Sequence, residues 1–446
     1  MARDEEYGYD IKDGVGIIPE WEMEIKEEAF KGCKELKHIE IPQWVTKIGE
    51  RAFWGCRNLN ALTLPEWLEE IGDCAFQNCS CLKEITLPRW TKKIGGGAFF
   101  DCSSLTSISI PPSVTEIGEG AFKGCFSLTS ISIPPSVTKI GRWAFYRCSY
   151  LTSISIPPLV TEIGGSAFCG CTSLTSISIP ASVMEIGDSA FSYCSSLTSI
   201  SIPPSVKVIG NHAFSYCPSL TSAEGLAFIV QELPKAQLIS FVMSEGEKEI
   251  GYGAFSGCSS LASISIPESV TVIGNRAFYG CSSLTSICIP QSVTEIGWGA
   301  FEDCSSLTSI SIPKSVTTIG WGAFRGCYNL ASISIPPSVT NIRKGAFCGG
   351  SCLTSIIVSK DNKVYDSREN CNAIIHTVSN TLIKGCVNTI IPSSVTKIED
   401  SAFYGCSSLT SISIPPSVTK IGDSAFYGCS SLTSISIPPS VKVIGN

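Results

Sequence analysis

Charged side chains are scarce in this 446-residue sequence: Asp, Glu, Lys and Arg together make up 16% of it. What charge there is sums to -7, the wrong sign for a nucleic-acid partner, whose phosphates need a basic footprint. Long apolar runs are missing too, and none reaches the ~20 residues of a membrane span. Histidine occurs only three times, at His38, His212 and His376, spread far along the chain. That spacing leaves no legible nucleophile–base pair and no metal-ligand cluster. There is no C-x-x-C pair, and Gly95-Gly96-Gly97 lacks the Lys-Ser/Thr tail of a phosphate loop. No cofactor, no catalytic residue and no metal site is expected. No Pro/Gly/Ser-only stretch or charge block divides the chain, although it is too long for one ordinary globular core. Met1 to Asp13 is crowded with charged side chains and has no apolar core, so it does not read as a signal peptide.

What the sequence does have is a period. Ala-Phe recurs with its Phe at 30, 53, 76, 99, 122, 145, 168, 191 and 214, then at 255, 278, 301, 324 and 347, and again at 403 and 426; within each series the step is 23. One unit reads L-x-x-I-x-I-P-x-x-V-x-x-I-G-x-x-A-F-x-x-C-x-x, with Leu105 as position 1 of a representative copy. Fixed spacing of this kind is the signature of a solenoid, in which each coil buries its apolar face only against its neighbours. Ile108 and Ile110 alternate as in a short strand with one face inward. Pro111 ends that strand, and Val114 and Ile117 return to the core. Gly118 suits a positive φ or a close approach of backbone. Ala121, Phe122 and Cys125 have the spacing of one turn of 3₁₀ or α-helix, with Phe122 as the large core filler.

Position 1 recurs about 18 times. The expected organisation is a polar segment, 1–12, followed by a single solenoid, 13–446. Two coils break the period. The coil at 220–237 is short and lacks V-x-x-I-G; the coil at 353–385 is long and carries a hairpin folded about Val378-Ser379.

The repeat resembles the Treponema pallidum-type, or BspA-like, leucine-rich repeat over nearly the whole chain. The resemblance implies a right-handed coil with a parallel β-sheet on the concave face and short 3₁₀/α turns or short strands on the convex side. It also implies a bacterial cell-surface or secreted adhesion protein contacting host or microbial proteins or glycans. The family brings no catalytic residue. Surface members normally carry an export signal, and with none legible here, an intracellular protein-interaction scaffold is the alternative.

Fifteen of the 23 cysteines occupy position 21, and only Gly350 breaks that column. They read as a ladder of packing thiols rather than a disulfide framework. Outside the column, Cys371 and Cys386 face each other if the hairpin turns at Val378-Ser379 without interruption, which makes them a candidate disulfide.

Two outward surfaces are candidate ligand sites. Positions 2, 3 and 5 are monotonously Thr, Ser and Ser in the middle coils, with Ser109, Ser132, Ser155 and Ser178 at position 5. This makes either a hydroxyl-rich contact face or plain β-favouring filler. Position 9 is Trp in four successive coils, Trp21, Trp44, Trp67 and Trp90, and mostly Ser thereafter. A row of outward indoles is either a stacking platform for a partner or an N-terminal cap packing on itself. Finally, the last residues, Ser434 to Asn446, repeat Ser199 to Asn211 and stop before the Ala-Phe turn. End-to-end self-association through unpaired strand edges is expected there.

Overall fold

The computed structural model describes residues 9–446. The chain forms a parallel β-solenoid, and its contacts divide it into two compact units. One unit ends at Ala223 and includes Glu232–Pro234; the other comprises Glu224–Gln231 and Lys235–Asn446. The break falls in the short coil, where a 3₁₀ turn, Ala227–Glu232, stands in for the missing V-x-x-I-G segment.

Within each unit, three backbone ladders join each coil to the next, and each has a sequence cause. The first runs through the I-x-I strands. Ser107–Ser109 pairs in parallel with Glu84–Thr86, placing Ile108 opposite Ile85 at an offset of one repeat. This ladder is discontinuous: Ser109 to Ser132 and Ser155 to Ser178 are isolated bridges. Threonine at position 2 reinforces it from outside. The Thr106 hydroxyl donates to the Lys83 carbonyl at 3.0 Å, and Thr152 and Thr198 do the same one coil apart.

The second ladder, at the dipeptide ending in Ile117, is the more continuous one. In the first unit nine such pairs, from Glu24–Ile25 to Val208–Ile209, form one sheet; in the second unit five pairs, from Glu249–Ile250 to Asn341–Ile342, form another. The reason is the glycine that follows. Gly118 does not have a positive φ; a Cβ there would lie 2.9 Å from the Ile94 carbonyl oxygen and 3.0 Å from the Gly95 carbonyl carbon. Of the two roles open to this glycine, close approach is the one it plays. Lys26 takes the equivalent position in the first coil, where no regular repeat precedes it, and Arg343 and Glu399 take it in two later coils.

The third ladder replaces the expected helical turn. Alternate amides of the Ala-Phe segment point to different partners. Gly120, Phe122 and Gly124 donate to Arg142, Ala144 and Tyr146 of the following coil at 2.7–2.8 Å, whereas Ala121, Lys123 and Cys125 bond back three residues within their own coil. Such alternation needs left-handed backbone at positions 16 and 20, as in Gly120 (φ 62°) and Gly124 (φ 73°). Helix cannot continue through these residues.

Inside, the phenylalanines stack face to face. Neighbouring ring centroids lie 5.1–5.6 Å apart from Phe30 through Phe214, and 5.2–5.3 Å apart from Phe255 through Phe347. All the column rings are buried except Phe426, which is partly so. Deleting one ring would leave a cavity and cost about 3–5 kcal/mol. Tyr9 closes the column, stacking on Phe30 at 5.2 Å. Asp10–Lys12 pairs antiparallel with Val15–Ile17; the rest of the polar segment expected at 1–12 lies, but for Tyr9, outside the described residues. In the last coil, Val443–Ile444 pairs with Lys420–Ile421, while Ile437 and Ile444 are exposed.

The long coil contains the expected hairpin, but with a bulge. His376 faces Thr381 and Ile375 faces Leu382; beyond them the register slips, so that Ala373 faces Gly385. The slip separates the candidate disulfide partners. The Cys386 thiol reaches the Asn372 carbonyl at 3.4 Å, Cys371 lies near Ser367, and both are free thiols.

The position-21 cysteines form a ladder of their own. Twelve of the fifteen Sγ–H groups point at the Phe carbonyl of the preceding coil, as in Cys56 to Phe30 at 2.9 Å, Cys102 to Phe76 at 3.0 Å and Cys304 to Phe278 at 3.2 Å. Burial pushes Cys217 and Cys258 from the usual 9 up to about 11, and Cys102 and Cys327 up to about 12. Because the folded values are raised, their contribution to stability is complete below pH 9. It is lost as pH rises from 9 toward the folded values, at about 1.4 kcal/mol per thiol per pH unit. Urea midpoints are therefore expected to hold steady from pH 7 to about 8.5 and to fall steeply above pH 9. Replacing Cys125 by Ala should make that fall shallower. A profile flat to pH 10.5 would contradict the buried ladder.

Candidate functional site

The repeat dictates where each outward side chain goes, so departures from it define the candidate surface. At position 9 the usual serine has a structural task. In seven coils its hydroxyl donates to the position-10 carbonyl of the preceding coil, as in Ser136 to Val114 at 2.6 Å and Ser315 to Val293 at 2.6 Å. Among the described residues, none of the four indoles replaces this bond. In the fourth coil Thr91, buried at position 10, takes over and donates to the Leu68 carbonyl at 3.0 Å. The tryptophans therefore displace a stacking contact without substituting for it.

Nor are they packed away. Trp21 is 80% exposed, Trp44 49%, Trp67 54% and Trp90 40%. Trp67 and Trp90 stack with centroids 6.0 Å apart, and the Arg89 guanidinium lies 5.1 Å over Trp90. The row was legible in the sequence; what adjoins it was not. An open groove of about 550 Å³ runs along the I-x-I face of the same coils, with Leu62 and Leu64 in its wall and Gln43, Glu66 and Arg89 on its rim. These rim residues all occupy position 8, immediately before the tryptophans, and that column is the signal in the sequence.

Ser109, Ser132, Ser155 and Ser178 are exposed on the sheet face, as their position requires.

The three histidines lie far apart along the chain. His38 lies 3.7 Å from Glu40, His212 beside Ser215, and His376 3.0 Å from Ser379, each in a different coil. No three His, Cys, Asp or Glu side chains among the described residues converge on a metal-sized site. No helix of the described residues is long and apolar enough to cross a membrane.

Comparison with known proteins agrees with the geometry. A family model described as a BspA type leucine-rich repeat region matches residues 23–151, 115–229, 235–374 and 377–446. Among solved structures, a leucine-rich repeat protein from Bacteroides ovatus is 28% identical, with 79% of this chain and 98% of that one covered and a TM-score of 0.48. A leucine-rich cell surface protein from Faecalibacterium prausnitzii is 29% identical over 90% of this chain and 87% of that one, with a TM-score of 0.36. The Treponema pallidum leucine-rich repeat protein is 31% identical over 39% of this chain and 90% of that one, with a TM-score of 0.35. No curated protein matches the chain.

The exposure of the row can be read directly in solution. Iodide should quench a large share of the tryptophan emission, and replacing Trp21, Trp44 and Trp67 by Ser should remove most of the quenchable part. Emission that iodide hardly touches would mean that the indoles are packed as a cap.

Proposed function

The chain belongs to the BspA-type leucine-rich repeat family, and from that premise we propose that it is a non-enzymatic protein-binding solenoid whose N-terminal coils present the contact surface. Leucine-rich repeat proteins generally bind other proteins. The observation that carries the reading is the position-9 exchange: all four coils expose an indole, and in three of them it stands where a serine hydroxyl could bond the coil beneath. Tryptophan is the side chain most enriched at binding hot spots, because one rigid ring contributes a large contact area at little entropic cost. Glu66 and Arg89 at the edge of the groove supply a polar rim around that apolar centre, the usual anatomy of an interface.

The role we assign is adhesive display outside the cell, with a host or microbial surface protein as partner. It rests on the family resemblance of the repeat. A second reading, an intracellular scaffold, is favoured by one feature: Cys81, Cys288 and Cys352 are exposed free thiols, which oxidising surroundings would modify. Fractionation of the native host separates the two.

The contact surface itself is tested with the full chain on an array of extracellular-matrix and microbial surface proteins. For a partner so found, the Trp44→Ser/Trp67→Ser double variant should bind about 30-fold or more weakly, the loss of a hot-spot pair. An unchanged affinity would overturn the assignment of the row.

A further inference from the structure

A second departure from the repeat lies in the fifth to eighth regular coils of the first unit, at position 20. This position has left-handed backbone in every coil with an Ala-Phe turn of this repeat, and glycine is its commonest occupant. Arg147 (φ 59°), Tyr193 (φ 60°) and Tyr216 (φ 57°) hold it instead. Arginine and tyrosine, unlike Asn or Asp, have no local side-chain bond that favours this conformation, so each is strained where glycine would not be.

Two of these strained residues, Arg147 and Tyr193, line one slot together with Tyr146. Tyr146 and Tyr193 stand two coils apart, about 10 Å at strand spacing. They flank an open slot of about 500 Å³ floored by Gly170 and Cys169. Gly170 leaves room at the floor, and the Arg147 side chain leans across it, its Cγ 3.2 Å from where a Cβ would be. Phe126, 39% exposed, forms the side wall, and Tyr193 is braced against Tyr216 with centroids 4.5 Å apart.

The charge around the slot is unbalanced. Lys123 and Arg147 both lie over the Tyr146 ring, 5.4 Å from its centroid; Lys123 is offset by the Asp101 carboxylate, whereas Arg147 has no carboxylate within ion-pairing distance among the described residues. On a chain of net charge -7 the Arg147 guanidinium is thus a cation without an ion-pair partner at the slot. An extended peptide gains little here. The Arg147, Gly170 and Tyr193 amides already donate to Cys169, Ser192 and Ser215 of the following coils at 2.8–2.9 Å, leaving no backbone edge for a strand to join. What fits is a flat ring with apolar faces, hydroxyl edges and one carboxylate.

We propose that this slot binds a uronic-acid residue of an acidic polysaccharide, its ring stacked between Tyr146 and Tyr193 and its carboxylate on the Arg147 guanidinium. Stacking on tyrosine uses the apolar face of the sugar, and the guanidinium accommodates a carboxylate with two parallel hydrogen bonds. Ser149 and Thr172 at the rim offer hydroxyl oxygens to the sugar edge. The site is separate from the tryptophan row and independent of it.

The test is calorimetric titration of the full chain with trigalacturonic acid and with its carboxyl-reduced, neutral counterpart. The acid should bind, about tenfold or more tightly than the neutral trimer, and should weaken as salt rises from 0.05 to 0.5 M. Arg147→Gly should abolish the preference for the acid, and Tyr193→Gly should weaken both sugars. Both variants restore the residue most coils carry there, so the fold is kept. Trp67→Ser should leave sugar binding unchanged, which keeps this outcome distinct from that of the protein-contact surface. No binding of the acid at millimolar concentration, or binding that neither glycine variant alters, would overturn the proposal. So would a glutamate-rich peptide that binds more tightly with the same sensitivity to both variants.

Discussion

Everything in this molecule depends on one coil lying in register on the next at a spacing of 23 residues. The backbone groups of a coil are only partly satisfied within it: alternate amides of the Ala-Phe segment, the dipeptide ending in Ile at positions 12 and 13 and the I-x-I strand all look to a neighbour. The apolar side chains have the same dependence, since each phenylalanine finds its contacts in the rings above and below. Unpaired buried backbone is costly, so a coil without neighbours is not a stable object, and stability is a property of the stack.

That constraint explains which positions are fixed. Gly118 and most of its equivalents are glycine because the preceding backbone occupies the place of a Cβ. Position 21 is cysteine because the site is small, buried and next to a carbonyl that accepts a weak S–H donor. It also explains where freedom remains. A side chain that neither packs inward nor bonds to the adjacent coil can change without loss to the stack. Positions 9 and 20 are informative because there the chain departs from the occupant the stack prefers, serine in one case and glycine in the other. The two candidate surfaces sit at these departures.

Much of this was legible in the sequence. The period, the inward columns, the packing role of the cysteine column, the two irregular coils and the indole row all follow from spacing and residue type. Other features were not. Whether Ala121, Phe122 and Cys125 make a helix or a turn depends on the φ of positions 16 and 20, and residues such as Trp143 or Arg147 give no hint of left-handed backbone. The bulge at Ile374/Ile375, which parts Cys371 from Cys386, has no signature in an otherwise regular hairpin pattern. The slot at Tyr146 and Tyr193 is assembled from residues two coils apart, so it emerges only when the columns are laid side by side.

The central claim is that position 9 in the first coils is held for contact rather than for folding, and thermal or urea unfolding of a Trp67→Ser/Trp90→Ser chain addresses it most directly. Serine hydroxyls there can bond the Val45 and Leu68 carbonyls as serine does in later coils, so the midpoint should stay the same or rise. A midpoint lowered by several kcal/mol, the loss expected for buried rings, would show that the indoles hold the stack together and would contradict the account.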